Sequence, residues 1–128
     1  MQTDLPEVWL RGPLAGVPPL LQPVGHALLQ AREEVSWIME GFPEKLLWEK
    51  PAGAASVGFH LQHLTGVLAR LFTYAQCLPL NPEQLQSLQR EELPPVTPYT
   101  IKQLIQHFED QVDHALQHLR QTPESTLL

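Results

Sequence analysis

The chain has 128 residues and a mass of 14.5 kDa, enough for one compact domain and too little for two full ones. Eight Lys+Arg against fourteen Asp+Glu leave a net charge of −6, which argues against a phosphate-reading surface and so against a nucleic-acid partner. No run of about 18 uncharged apolar residues and a single cysteine, Cys77, exclude a spanning helix, an internal disulfide and a thiolate metal cage, and the lack of a basic-then-apolar N-terminal pattern argues against a secretory signal; the expectation is a soluble cytoplasmic protein without a membrane partner.

Thirteen prolines and seven glycines cluster at Pro6 to Pro23, Pro43 to Gly53, Pro79 to Pro82 and Pro94 to Pro98. Proline lacks an amide donor and clashes inside a helix, so the clusters mark connections and the segments between them are the candidate helices. Residues 1–22 read as an extended N-terminal segment of a single domain spanning 1–128. A first helix is predicted from about Pro23 to Glu40, with Gly41 as a left-handed C-cap and Pro43 as a stop. A short helical turn follows at Pro43 to Trp48. The second long helix starts behind Ser56, whose hydroxyl can cap a first-turn amide, and continues to about Gln76. A minor helix has Asn81 as N-cap, Pro82 at its first position and Glu83 favourable for the dipole, ending near Glu92. The third long helix opens on the capping box Thr100-Ile-Lys-Gln103 and runs to about Gln121.

Strand signals are weak and no Asn-Gly or Asp-Gly hairpin occurs, so the fold class is all-α. At about 100° per residue, Val57, Leu61, Leu64, Leu68, Leu71 and Ala75 share one face of the second helix. Ile101, Leu104, Ile105, Phe108, Val112, Ala115 and Leu119 share one face of the third. These are the core stripes of an up-and-down bundle with three long helices and one short one.

Six histidines form the chemistry-bearing set: His26, His60, His63, His107, His114 and His118. On the second helix His60 and His63 stand about 60° apart around the axis, on a flank shared with Arg70 and Tyr74. Two neutral imidazoles at that spacing can hold a first-row metal together. The same spacing suits His60 packed at the core edge with His63 in solvent, and the residues alone leave both readings open. His107, His114 and His118 fall roughly 100–140° from the core stripe of their helix, which predicts a hydrated flank. His26 stands alone, and no His-Glu-x-x-His motif is present.

Other chemistries are excluded more directly. The glycine-containing stretches lack the Lys-Ser/Thr tail of a phosphate loop, and no Gly-x-Ser-x-Gly elbow exists. Cys77 sits at the end of the second helix before Leu78-Pro79, with no obvious activating neighbour for a nucleophile. Trp9, Trp37 and Trp48 read as core and edge anchors, because no basic residues interleave with them.

The stretch from Trp48-Glu-Lys-Pro51 through Ser56-Val-Gly-Phe59-His60-Leu-Gln-His63 to Arg70-Leu-Phe-Thr-Tyr74 resembles the DinB/YfiT-like superfamily of metalloenzymes. In that family a loop with tryptophan or proline leads into a helix that starts on serine, and a histidine follows seven residues later; here Ser56 plus seven is His63. Trp9-Leu10-Arg11-Gly12-Pro13 and Pro23-Val-Gly-His26-Ala-Leu28 are similar to one bacterial branch of it. The resemblance implies a four-helix bundle and a divalent metal held by three histidines, one from the second helix and two from a His-x-x-x-His pair on the fourth. It implies a metal-dependent hydrolase or transferase acting on a small molecule that the residues do not name.

Of those ligands only His63 is matched, with His60 one helical step away. The family's pair belongs beyond residue 121, and no such motif precedes Leu128. His114-x-x-x-His118 has the spacing but lies on the third long helix. The expectation is therefore three bundle helices without the fourth, an incomplete metal site at His63 and His60, and zinc, nickel, iron or manganese held weakly or not at all. A homodimer is expected, because the open groove left by the absent helix is an apolar patch that a two-fold contact would cover. The alternative function is a non-catalytic helical module that closes its bundle by self-association, and a reading frame continuing past Leu128 into a His-x-x-x-His helix would separate the two.

Overall fold

The computed structural model describes residues 4–91 and 98–127. All regular structure among them is helical: α1 (Gln22–Met39), α2 (Val57–Ala75), α3 (Pro82–Arg90) and α4 (Ile101–Gln121), with short 3-10 turns between and beside them. Three long helices and a short one are what the proline clusters predict. The end predicted for the minor helix near Glu92 lies outside the described residues. No helix of the described residues is long and apolar enough to cross a membrane.

The helix starts follow local side-chain chemistry. Ser56 accepts from the Phe59 amide at 3.0 Å. Asn81 and Gln84 exchange hydrogen bonds at 2.8 and 2.9 Å, and Thr100 and Gln103 do so at 3.1 and 2.9 Å. Each pair satisfies amides that a helix leaves unpaired in its first turn, with a typical cap contributing about 1 kcal/mol. At the other end of α1, Gly41 takes φ +75° before Pro43 stops the helix.

The chain divides into two compact units, Met1–Glu40 with Val112–Leu128, and Gly41–Gln111. In the first, the N-terminal segment is tied to α1 by polar side chains. Gln30, itself buried, accepts from the Val8 amide at 2.9 Å. The Gln22 amide group bonds Leu14 and Val17, and His26 bonds the Gly12 carbonyl at 3.0 Å. Val8, Val17 and Met39 are buried in this unit with Val112, Ala115, Leu116 and Leu119 of α4. Trp9 is half exposed, an edge residue and not a core one, because its 3-10 turn directs Val8 inward.

In the second unit Leu47, Leu61, Leu68, Ile101, Leu104 and Phe108 are buried. The Glu44 carboxylate accepts from the Ile101 amide at 3.1 Å and so caps α4 from outside its own sequence. The Trp48 ring lies against Gly58, where a Cβ would stand 2.5 Å from Cε3. The Gln84 amide donates to the Thr73 hydroxyl at 2.8 Å, holding the start of α3 beside the end of α2.

The predicted stripe of α4 is buried apart from Ile105, which is half-buried. That of α2 needs correction: Leu61 and Leu68 are buried, but Leu71 is 57% exposed and Ala75 is exposed as well. Arg70 is buried in place of Leu71, for a reason that lies in the site.

Candidate functional site

Three polar side chains meet at the flank of α2. The Glu91 carboxylate, from the residue that follows α3, accepts from Arg70 Nη1 at 2.5 Å through Oε1. Through Oε2 it meets His63 Nδ1 at 2.9 Å. The side chains of Glu91 and Arg70 are each only 7% exposed, while His63 is 43% exposed. A lone buried guanidinium or carboxylate costs several kcal/mol in lost hydration, so each of these two charges requires the other. That demand turns α2 at its C-terminal half and leaves Leu71 outside.

Helical spacing explains the convergence. His63, Gly66 and Arg70 stand at i, i+3 and i+7, and so line up along one flank. Gly66 provides the room: a Cβ there would stand 2.1 Å from Glu91 Oε1 and 2.7 Å from Arg70 Nη1. A carboxylate only accepts hydrogen bonds, so His63 donates from Nδ1, and in the neutral imidazole the lone pair then lies on Nε2. The Phe59 ring stacks on His63 with centroids 5.3 Å apart and planes 13° apart, which limits rotation of the imidazole.

The sequence profile of the DinB superfamily matches residues 27–128. The chain belongs to the DinB superfamily. No curated protein matches it. The match covers all four α-helices apart from the first turns of α1, and includes every residue of the polar centre.

In this DinB chain His63 lies on the flank of α2 that also carries Arg70. It is half-buried there and engaged by a carboxylate. His60 is exposed, and its ring meets the Phe59 edge at 5.3 Å and 69°. His107 and His114 are exposed, as expected of a hydrated flank; His118 is half-buried instead, because it follows the buried Ala115 and Leu116 and precedes the buried Leu119 near the end of α4. Among the described residues no three His, Cys, Asp or Glu side chains gather to hold a metal ion. His63, with His60 one helical step away, falls short of a three-ligand cage of the kind a catalytic zinc requires.

Sequence reasoning missed Glu91. A signal was present. Arg70 lies on the apolar half of α2 with Gly66 and Tyr74 at i−4 and i+4, so no acid of its own helix could neutralise it, and a buried Arg70 required an acid from elsewhere. Gly66 between two long polar side chains was the second sign.

Proposed function

We propose that this DinB chain is a metal-dependent hydrolase or transferase module acting on a small molecule, with His63 as its working imidazole and Glu91 as the residue that positions it. The observation that carries this reading is the Glu91–His63 hydrogen bond. Histidines that act as ligands or bases characteristically give their second ring proton to a carboxylate, which sets the tautomer and raises the basicity of the free nitrogen. A divalent ion at such a nitrogen would supply Lewis-acid activation of a bound water. The chain's own residues act as follows: Glu91 Oε2 accepts from Nδ1, Arg70 holds the carboxylate in place, Phe59 fixes the ring plane, and Nε2 accepts a proton or a cation. His60 contributes a second imidazole one helical step away.

Histidine-selective NMR during nickel titration tests this. The His63 Nε2 resonance is expected to broaden first, His63→Ala to abolish the effect, and Glu91→Gln to weaken binding about 10–100-fold. Nickel broadening that survives His63→Ala at other histidines alone would overturn the assignment.

A second reading, a non-catalytic module that pairs with its own copy, is favoured by a different observation. Leu71, Tyr74 and Leu78 at the end of α2, and Leu85 and Leu88 on α3, are all more than 40% exposed. A two-fold contact is the commonest way to cover such side chains. Light scattering separates the readings: a dimer that Leu85→Glu dissociates supports self-association, and a monomer at all concentrations removes it.

A further inference from the structure

The 41–111 unit contains a cleft of about 490 Å³ that borders the His63 centre, sharing Gly66 and Glu91 with it, while His63 itself does not line it. The volume falls within the range of small-molecule sites. One wall is α3, which contributes Glu83, Gln86, Ser87 and Arg90. These stand at i, i+3, i+4 and i+7 and so form one face. Leu85 and Leu88 of the same helix remain 46% and 42% exposed. An amphipathic helix ordinarily turns its leucines to the protein and its charges to water. Here the polar face lines the cavity.

We propose that this cleft binds a zwitterion of dipeptide size, its ammonium group at Glu83 and its carboxylate at Arg90. Three features define that class. The two charges are of opposite sign and seven residues apart, about 10 Å along the helix axis, and among the described residues neither is in an ion pair. An extended dipeptide spans about 7 Å, and the two flexible side chains close the remainder. A simple anion would meet Glu83 and a simple cation Arg90, so a ligand of one sign leaves one end opposed.

The third feature selects a peptide over a free amino acid. Gln62 Oε1, on the α2 wall, is buried with no hydrogen-bond donor among the described residues. A buried acceptor without a donor costs about 1–3 kcal/mol, and the amide N–H in the middle of a dipeptide supplies one. Leu104 adds an apolar surface. Tyr99 and His107, packed edge to face at 4.8 Å, form the far side.

Glycylglycine, added to the 128-residue protein and followed by amide NMR, is the probe. Saturable shifts at the Gln62 side chain, Ser87 and Arg90 are expected. Glu83→Gln and Arg90→Gln, both at exposed positions and checked for folding by circular dichroism, are each expected to weaken binding at least about tenfold, equivalent to about 1.4 kcal/mol. N-acetyl-glycylglycine amide, which keeps the central amide and lacks both charges, is expected not to bind. Absence of saturable shifts, equal binding of the blocked peptide, or unchanged affinity in both folded variants would each overturn the proposal. His63→Ala, at a residue that does not line the cleft, leaves this titration unaltered, so its failure is distinct from failure of the metal reading.

Discussion

Glu91 occupies the space that a side chain on Gly66 would fill. A Cβ on Gly66 would stand 2.1 Å from Glu91 Oε1, while that same oxygen accepts from Arg70 Nη1 at 2.5 Å. Glycine is therefore the residue that lets a carboxylate from beyond α3 reach between His63 and Arg70, and the site exists because a helix gives up one side chain. The cost of glycine inside a helix, about 1 kcal/mol relative to alanine, is offset by a buried ion pair that could not otherwise form.

Gly66→Ala tests that balance. Helix propensity alone would stabilise the variant by about 1 kcal/mol. The clash acts the other way, because the carboxylate it displaces is buried and bound to two partners. A net loss of about 1–3 kcal/mol is expected, measured as a lower urea midpoint, together with a changed His63 imidazole resonance. A more stable variant with an unaltered His63 signal would show that Glu91 relocates freely.

Removing one partner of the buried pair should cost more than removing both. Glu91→Gln leaves the Arg70 charge buried without a counter-ion, and a loss of about 3–5 kcal/mol is expected. Arg70→Met combined with Glu91→Gln should recover part of it. A double-mutant cycle by urea unfolding measures the coupling, and additive losses would mean that the charges do not depend on each other.

At the other end of α2, Gly58 lies against the Trp48 ring, with a Cβ placed 2.5 Å from Cε3 and 2.6 Å from Cζ3. A ring held beneath the helix start cannot swing aside like a carboxylate tip, and Gly58 also donates its amide to the Leu47 carbonyl at 2.7 Å. Gly58→Ala is expected to cost about 1–3 kcal/mol and to reduce the near-ultraviolet circular dichroism of the tryptophans. Unchanged near-ultraviolet signal and stability would disprove the contact.

The pair Arg11–Glu33 in the other unit gives a pH-dependent contribution. Both guanidinium arms reach the carboxylate, at 2.6 and 2.9 Å, and the hydrogen bond from Arg11 holds the Glu33 carboxyl below its usual 4.5. A lowered carboxyl pKa stabilises the fold at pH above the unfolded value and is lost as pH falls through the folded one. Arg11→Met should therefore lose only a little stability at neutral pH, since the pair is solvated. Its stability should converge with that of the parent in acid. Urea midpoints at neutral and acidic pH decide it, and a constant difference would remove the linkage.

Much of the fold is local chemistry and was legible in the sequence. Ser56, Asn81 and Thr100 announce helix starts because capping depends on residues three apart, and Gly41 with Pro43 announces an end for the same reason. The burial of most of the α4 stripe follows from its period. That His63 and Arg70 share one flank of α2 was legible, because their spacing is measured along a single helix. Glu91 was not legible, because its partners are 21 and 28 residues away and no local pattern records which acid will reach a buried arginine. Leu71 was misread for that reason: on a helical wheel it belongs to the apolar face, but the ion pair of Arg70 decides how α2 is turned. Capping and periodicity are short-range and follow from the chain itself, whereas the neutralisation of a buried charge is settled only when remote segments pack together.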